Sequence, residues 1–245
     1  MTGARRVILP AAAVAAILLA AGLAFALAGR PPASRAPATA ATAPASPAGT
    51  AGQGQPQVPR VSLASVRWRG FYGVELPVSA QAGPYGTRGG TAAGFAHTPL
   101  GALLAAVNIG VRANAQWGPR IFGAVIRGQV TGPDAAALLA GCQAAYDQAA
   151  QSGHIVGGQP LGTVHVTEQA FRWITYTPAA AILDLISAGP GSNGATVRAS
   201  VQMEVVWDGG AWKVVAPPGG DWGNSAAELS SLAGYTAFPR QEGGR

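Results

Sequence analysis

The chain has 245 residues, 49% of them hydrophobic and only 11% charged, with a formal net charge of +6. Its isoelectric point near 10.2 would suit a nucleic-acid binder, but Arg5, Arg6, Arg30, Arg35 and Arg60 are the only ionic residues among the first sixty. The remainder carries 11 basic and 10 acidic side chains, which excludes the basic face of a globular nucleic-acid-binding domain, while the apolar content excludes a wholly disordered chain.

The first predicted element is apolar. Between Arg6 and Arg30 there is no charged residue, and Val7–Gly29 is long enough for a helix to cross a hydrocarbon core of about 30 Å. That length favours a retained anchor over a cleavable signal peptide, whose apolar core is normally about 7–15 residues. Ala26-Leu27-Ala28 has the small-x-small form of a cleavage site, so a secreted protein released after Ala28 is the alternative. Arginines lie on both sides of the run, so the positive-inside rule gives little bias. The short leading segment 1–6 has little to translocate and is expected to be cytoplasmic, with the bulk outside the cytoplasmic membrane. Residues 30–60 are rich in Pro and Ala and hold no large apolar side chain before Val58. Such a segment buries too little surface to offset its conformational entropy and reads as a tether.

A folded domain is expected over 61–218, with a tail at 219–245. Its opening reads as strand and turn: Val66, Trp68, Phe71, Val74 and Leu76 are apolar, Pro77 ends the run, and Gly83-Pro84-Tyr85-Gly86 and Gly89-Gly90 signal loops. Thr98-Pro99 predicts a helix start, with Thr98 as cap and Pro99 at the first helical position. Leu100, Leu103, Leu104, Val107 and Val111 then form one stripe ending near Asn114. Ile121–Ile126 reads as a helical turn or an extended link. A second helix opens around Pro133-Asp134 with Leu138, Leu139, Cys142, Tyr146 and Ala149 on its apolar face and Gly153 suited to the C-terminal cap.

After Gly158 the period changes to two. Val164, Val166, Ala170, Trp173 and Ile174 suggest a strand with room for a bulge, Ala180–Ser187 a second and Val197–Trp207 a third. Asp208-Gly209-Gly210 is a tight turn into Ala211–Ala216, stopped by Pro217-Pro218. Helices followed by an antiparallel meander make an α+β domain with helices on one face of a curved sheet. In the tail, Ser225–Leu232 reads as a short amphipathic helix or a loosely docked end.

The hairpin Val-Val-Trp-Asp-Gly-Gly-Ala-Trp-Lys-Val-Val (205–215), following the helices, resembles the cone-shaped nuclear-transport-factor-like fold, also called cystatin-like or SnoaL-like. Gly94–Ala106, preceded by the Trp-x-x-Phe-x-Gly-x-x-Leu-Pro segment Trp68–Pro77, resembles membrane-anchored actinomycete proteins of conjugative and integrative elements. The resemblance covers roughly 65–216. It implies a domain similar to those of TcpC-type scaffold proteins of conjugative, type IV-like transfer machines. Such proteins are not enzymes; they pair one membrane helix with an outer domain that assembles with other subunits. The TcpC type carries two such domains and this chain has room for one.

Residues in patterns that carry chemistry are few. The single cysteine, Cys142, excludes an internal disulfide and a thiolate cluster. His97, His154 and His165 form no close ligand pair, there is no nucleophile elbow or phosphate loop, and no cofactor is expected. Cone-shaped domains can be enzymes or small-ligand binders, and the pocket candidates are Tyr146, His165, Asp184 and Glu204, with Asp184 set apart by its apolar neighbours. The interaction candidates are Trp68, Phe71, Tyr72, Phe95 and His97, with core or lid packing as the competing role for the first three and a local hydrogen bond for His97. Residues 61–130 hold six Arg against Glu75, whereas 131–245 hold five basic and nine acidic side chains. Opposed patches of this kind suit head-to-tail association of copies.

Overall fold

The computed structural model describes residues 58–163, 165–191 and 195–239. The apolar run 7–29 and most of the expected tether at 30–60 lie outside them. Among the described residues no helix is long and apolar enough to cross a membrane.

The chain forms a mixed α+β unit with a large sheet and few helices. A hairpin of β1 (Val66–Phe71) and β2 (Val74–Ser79) comes first, then a smaller one of β3 (Gly86–Arg88) and β4 (Thr91–Ala93). Pro77 was expected to end the first run, yet it lies inside β2 opposite Trp68. β2 pairs on one side only, so a strand position there tolerates a residue without an N–H.

Helix α1 spans Pro99–Arg112. Thr98 caps it as expected, its Oγ1 accepting from Gly101 N at 3.1 Å. The expected single apolar stripe is an understatement, because every residue from Gly101 to Arg112 is buried. The cause is topological: α1 packs against β2 and β4 on one side and the main sheet on the other. Asn108 can occupy this site because its Nδ2 donates to Pro77 O at 2.8 Å and Leu104 O at 3.0 Å.

Helix α2 (Pro119–Gln129) replaces the short turn or link expected at 121–126. It runs into the two-residue strand β5 (Val130–Thr131). Helix α3 (Ala135–Gly153) buries Leu138, Cys142 and Tyr146 on one face, and the left-handed cap residue is His154, not Gly153. The meander follows: β6 (Thr167–Tyr176), β7 (Ala180–Pro190), β8 (Thr196–Asp208) and β9 (Ala211–Val215). β6 is irregular at Glu168/Ala170 and Trp173/Thr175, and Val164 lies outside the described residues.

The tail departs most from expectation. Ser225–Leu232 is not a helix; β10 (Ala226–Glu228) pairs with β8, and β11 (Thr236–Ala237) pairs with β6. The main sheet thus has seven strands in the order β11-β6-β7-β8-β9-β5, with β10 on β8 beside them. β5 joins β9 in parallel; the other pairings are antiparallel. One core unites α1 (Leu103, Leu104, Val107) with the inner face of the sheet (Leu183, Leu185, Val201, Met203, Trp212).

Candidate functional site

The helix entry and the β8–β9 hairpin, two motifs far apart in sequence, meet. Trp207 and Trp212 are cross-strand partners with centroids 5.3 Å apart. The His97 ring stacks on Trp207 at 3.9 Å and 7°, and its Nε2 lies 2.6 Å from Pro178 O. Trp212 Nε1 donates to Ala96 O at 3.0 Å. His97 is exposed at one edge, yet stacking and a hydrogen bond hold it, so it works as a clasp between the α1 entry and the sheet. Phe95, one of the interaction candidates, is a core residue at 7% exposure.

The β1–β2 hairpin gathers the other aromatic candidates. Trp68 is half-buried, packs edge-on against Phe238 at 5.8 Å and donates its Nε1 to Pro239 O at 3.2 Å. Phe71 is half-buried, edge-on to Trp117 at 5.1 Å. Tyr72 is 49% exposed and stacks on Trp117 at 5.8 Å and 27°. Tyr72 and Gly73 form the two-residue turn with φ of +49° and +89°. Turns of this handedness favour Asn-Gly, and a tyrosine at positive φ is strained. Beneath the turn the Arg112 guanidinium lies 4.4 Å over the Phe71 ring. Burial, then the charge of Arg69, push its pKa down to about 10.

The four pocket candidates do not converge. The Tyr146 hydroxyl donates to Gln159 O at 2.8 Å and accepts from Gly158 N at 2.9 Å, fastening the loop after α3. His165 is exposed in the approach to β6. Asp184 is buried and pairs with Arg172 at 2.6 Å rather than with His165. Glu204 is exposed on β8, opposite Ile182. Cys142 Sγ donates to Ala113 O at 3.7 Å, and burial pushes the thiol up to about 11, so it packs as a small core residue. Among the described residues no group of three His, Cys, Asp or Glu is placed to hold a metal ion.

Sequence reasoning missed two groups. Glu168 is buried opposite Ser187, whose hydroxyl lies 3.2 and 3.1 Å from its two oxygens. Burial pushes this carboxyl up to about 7, against the lowering effect of that hydrogen bond. Its place two residues after the apolar Val166 was the available signal, since the two share one face at period two; the irregularity after Glu168 puts Ala170 on the other face, opposite Ile186. Arg112 carried no such signal, because an arginine in the last turn of a helix is ordinary at a surface.

The chain belongs to the family described as Domain of unknown function (DUF8175), whose model matches residues 30–237. No curated protein and no solved structure matches it significantly.

Proposed function

We propose that this member of the family is a single-pass, N-terminally anchored scaffold that presents its α+β domain outside the cytoplasmic membrane and docks other subunits of a conjugative, type IV-like transfer or secretion apparatus. The observation that carries the reading is the arrangement at the start of the chain: an uncharged run of membrane-spanning length at 7–29, followed at once by the segment where the family match begins. The anchor localises, the tether spaces and the domain docks.

The architecture supports a cone-shaped, nuclear-transport-factor-like domain. Helices precede a long antiparallel meander, and the short β5 lies parallel to β9 beside the last hairpin. In this reading the inner face of the sheet is filled by α1 and the aromatic and aliphatic side chains around it, and recognition takes place on the outside. The strained, exposed Tyr72 is the outward feature most in need of a functional reason.

The test is cell fractionation followed by protease protection and cross-linking of the full chain in native membranes. The expected result is carbonate-resistant membrane association, a domain digested only from outside, and cross-links to other membrane subunits. A mature chain beginning at Gly29 in the medium, or a membrane-bound chain that cross-links to nothing, would overturn it.

A further inference from the structure

We propose that the β1–β2 hairpin tip, over the end of α1, forms a recognition site for the carboxylates of an acidic partner polypeptide, with the exposed Arg69 as the contacting cation, the buried Arg112 as the uncompensated charge behind it and Tyr72 as the aromatic anchor. This rests on the docking role proposed above and names the chemistry of the surface that docks.

Arg112 is a cation without a counter-ion among the described residues. Arg112 is only 5% exposed, and a buried guanidinium is ordinarily matched by a carboxylate. Both ion pairs among the described residues, Arg172–Asp184 and Lys213–Asp208, lie in the sheet half of the chain. Arg112 Nη1 donates to Asn108 O at 3.0 Å and Asn108 Oδ1 at 2.7 Å. That contact answers the helix C-terminus but uses one nitrogen. Nε is buried without a partner, and Nη2 has no hydrogen bond among the described residues. The edge that these two nitrogens form is closed to a carboxylate from outside, so the uncompensated charge acts through its field on an anion that meets the exposed Arg69.

The surroundings favour an incoming anion. The neighbouring charge that acts on Arg112 is another cation, Arg69. Arg69 and Phe71 alternate along β1 on one side of the ladder, whereas Glu75 stands opposite Gly70 and so belongs to the other side. Residues 61–130 carry six arginines against this single acid, and among the described residues none of the six forms an ion pair. An acidic segment supplies what this half lacks. The Tyr72 ring beside these cations, half-exposed and braced on Trp117, has the rigid amphipathic character of an interface anchor.

The experiment uses the full chain in detergent micelles and a fluorescent, C-terminally amidated polyglutamate peptide as probe, followed by anisotropy, with a polylysine peptide and inorganic phosphate as controls. Saturable polyglutamate binding that weakens as salt rises is expected. Arg69→Ala should weaken it about fivefold. Tyr72→Asn installs the residue that the turn prefers, so it should fold as the parent does by thermal melting and yet bind about tenfold more weakly. No polyglutamate binding, equal binding by both variants, or equal competition by phosphate (a small-anion site only) would overturn the proposal. Loss of peptide binding while membrane subunits still cross-link sinks this inference alone. Peptide binding by a chain that cross-links to nothing sinks the scaffold role and leaves the site standing.

Discussion

The two halves of the domain handle their polar groups differently. In the sheet half, Asp184 meets Arg172 and Asp208 meets Lys213, and the strands alternate so that Gln202 and Glu204 face out while Val201, Met203 and Val205 face in. In the hairpin-and-helix half, α1 is enclosed from Gly101 onward, Asn108 and Arg112 are buried with it, and no ion pair forms among the described residues. The difference teaches where information sits in such a fold. A half-wet sheet can pair charges across its strands or leave them in water, whereas a helix wedged between two layers must use its few polar groups on backbone, and a charge left over there is available to something else.

The largest expected effect tests the wedge. A Cβ on Gly101 would stand 1.9 Å from Ala96 O and 2.8 Å from Ala96 C, both backbone atoms with no side chain to yield. Gly101→Ala should therefore cost about 3 kcal/mol or more in urea unfolding. A loss under about 0.5 kcal/mol, the level of an ordinary surface substitution, would mean that α1 is not held so closely.

A buried acid of the sheet half that has no ion pair among the described residues comes next. Burial holds the Glu168 carboxyl up at about 7 in the fold, against 4.5 for an ordinary glutamate. Between those values the folded state holds a proton that the unfolded chain has released. Stability therefore falls as pH rises through that window and levels off above it. Glu168→Gln should raise stability at pH 8 by about 3 kcal/mol and change little at pH 4. Parallel pH–stability curves for parent and variant would show that Glu168 is not the buried acid described above.

Two smaller effects follow. Thr98→Ala removes the side-chain cap of α1 and should cost about 1 kcal/mol, read from the denaturation midpoint. Lys213→Ala removes a pair whose members are 30% and 58% exposed. It should change stability by less than about 0.5 kcal/mol and less again in salt; a larger loss would mean that the sheet half depends on its surface charges.

Much of this architecture was legible in the sequence where local chemistry and period agreed. Thr98-Pro99 marked the α1 start, Asp208-Gly209-Gly210 marked the last hairpin, and the alternation from Val197 to Trp207 marked β8. What was not legible depends on distant partners. β10 and β11 are three and two residues long, too short for a period to show, and they exist because β8 and β6 offer them free edges. The six-residue reading at 121–126 undervalued Pro119 as a first helical residue. Of the pocket candidates, Asp184 stood out for its apolar neighbours, but its partner is the cross-strand Arg172, whose proximity is a matter of register. The turn at Tyr72-Gly73 escaped notice because a tyrosine at positive φ is held there by Trp117, a residue forty-five positions away.

The Trp68–Pro239 hydrogen bond, with Phe238 lodged against both Trp68 and Phe171, ties the first strand to the last described residues. The domain is therefore closed like a buckle, its entering and leaving chain fastened at one corner. A pull arriving along the chain at Arg60 bears on β1 and, through that buckle, on the β6–β11 edge of the sheet. Tension would be resisted, and registered, at the same hairpin that carries Tyr72 at its tip.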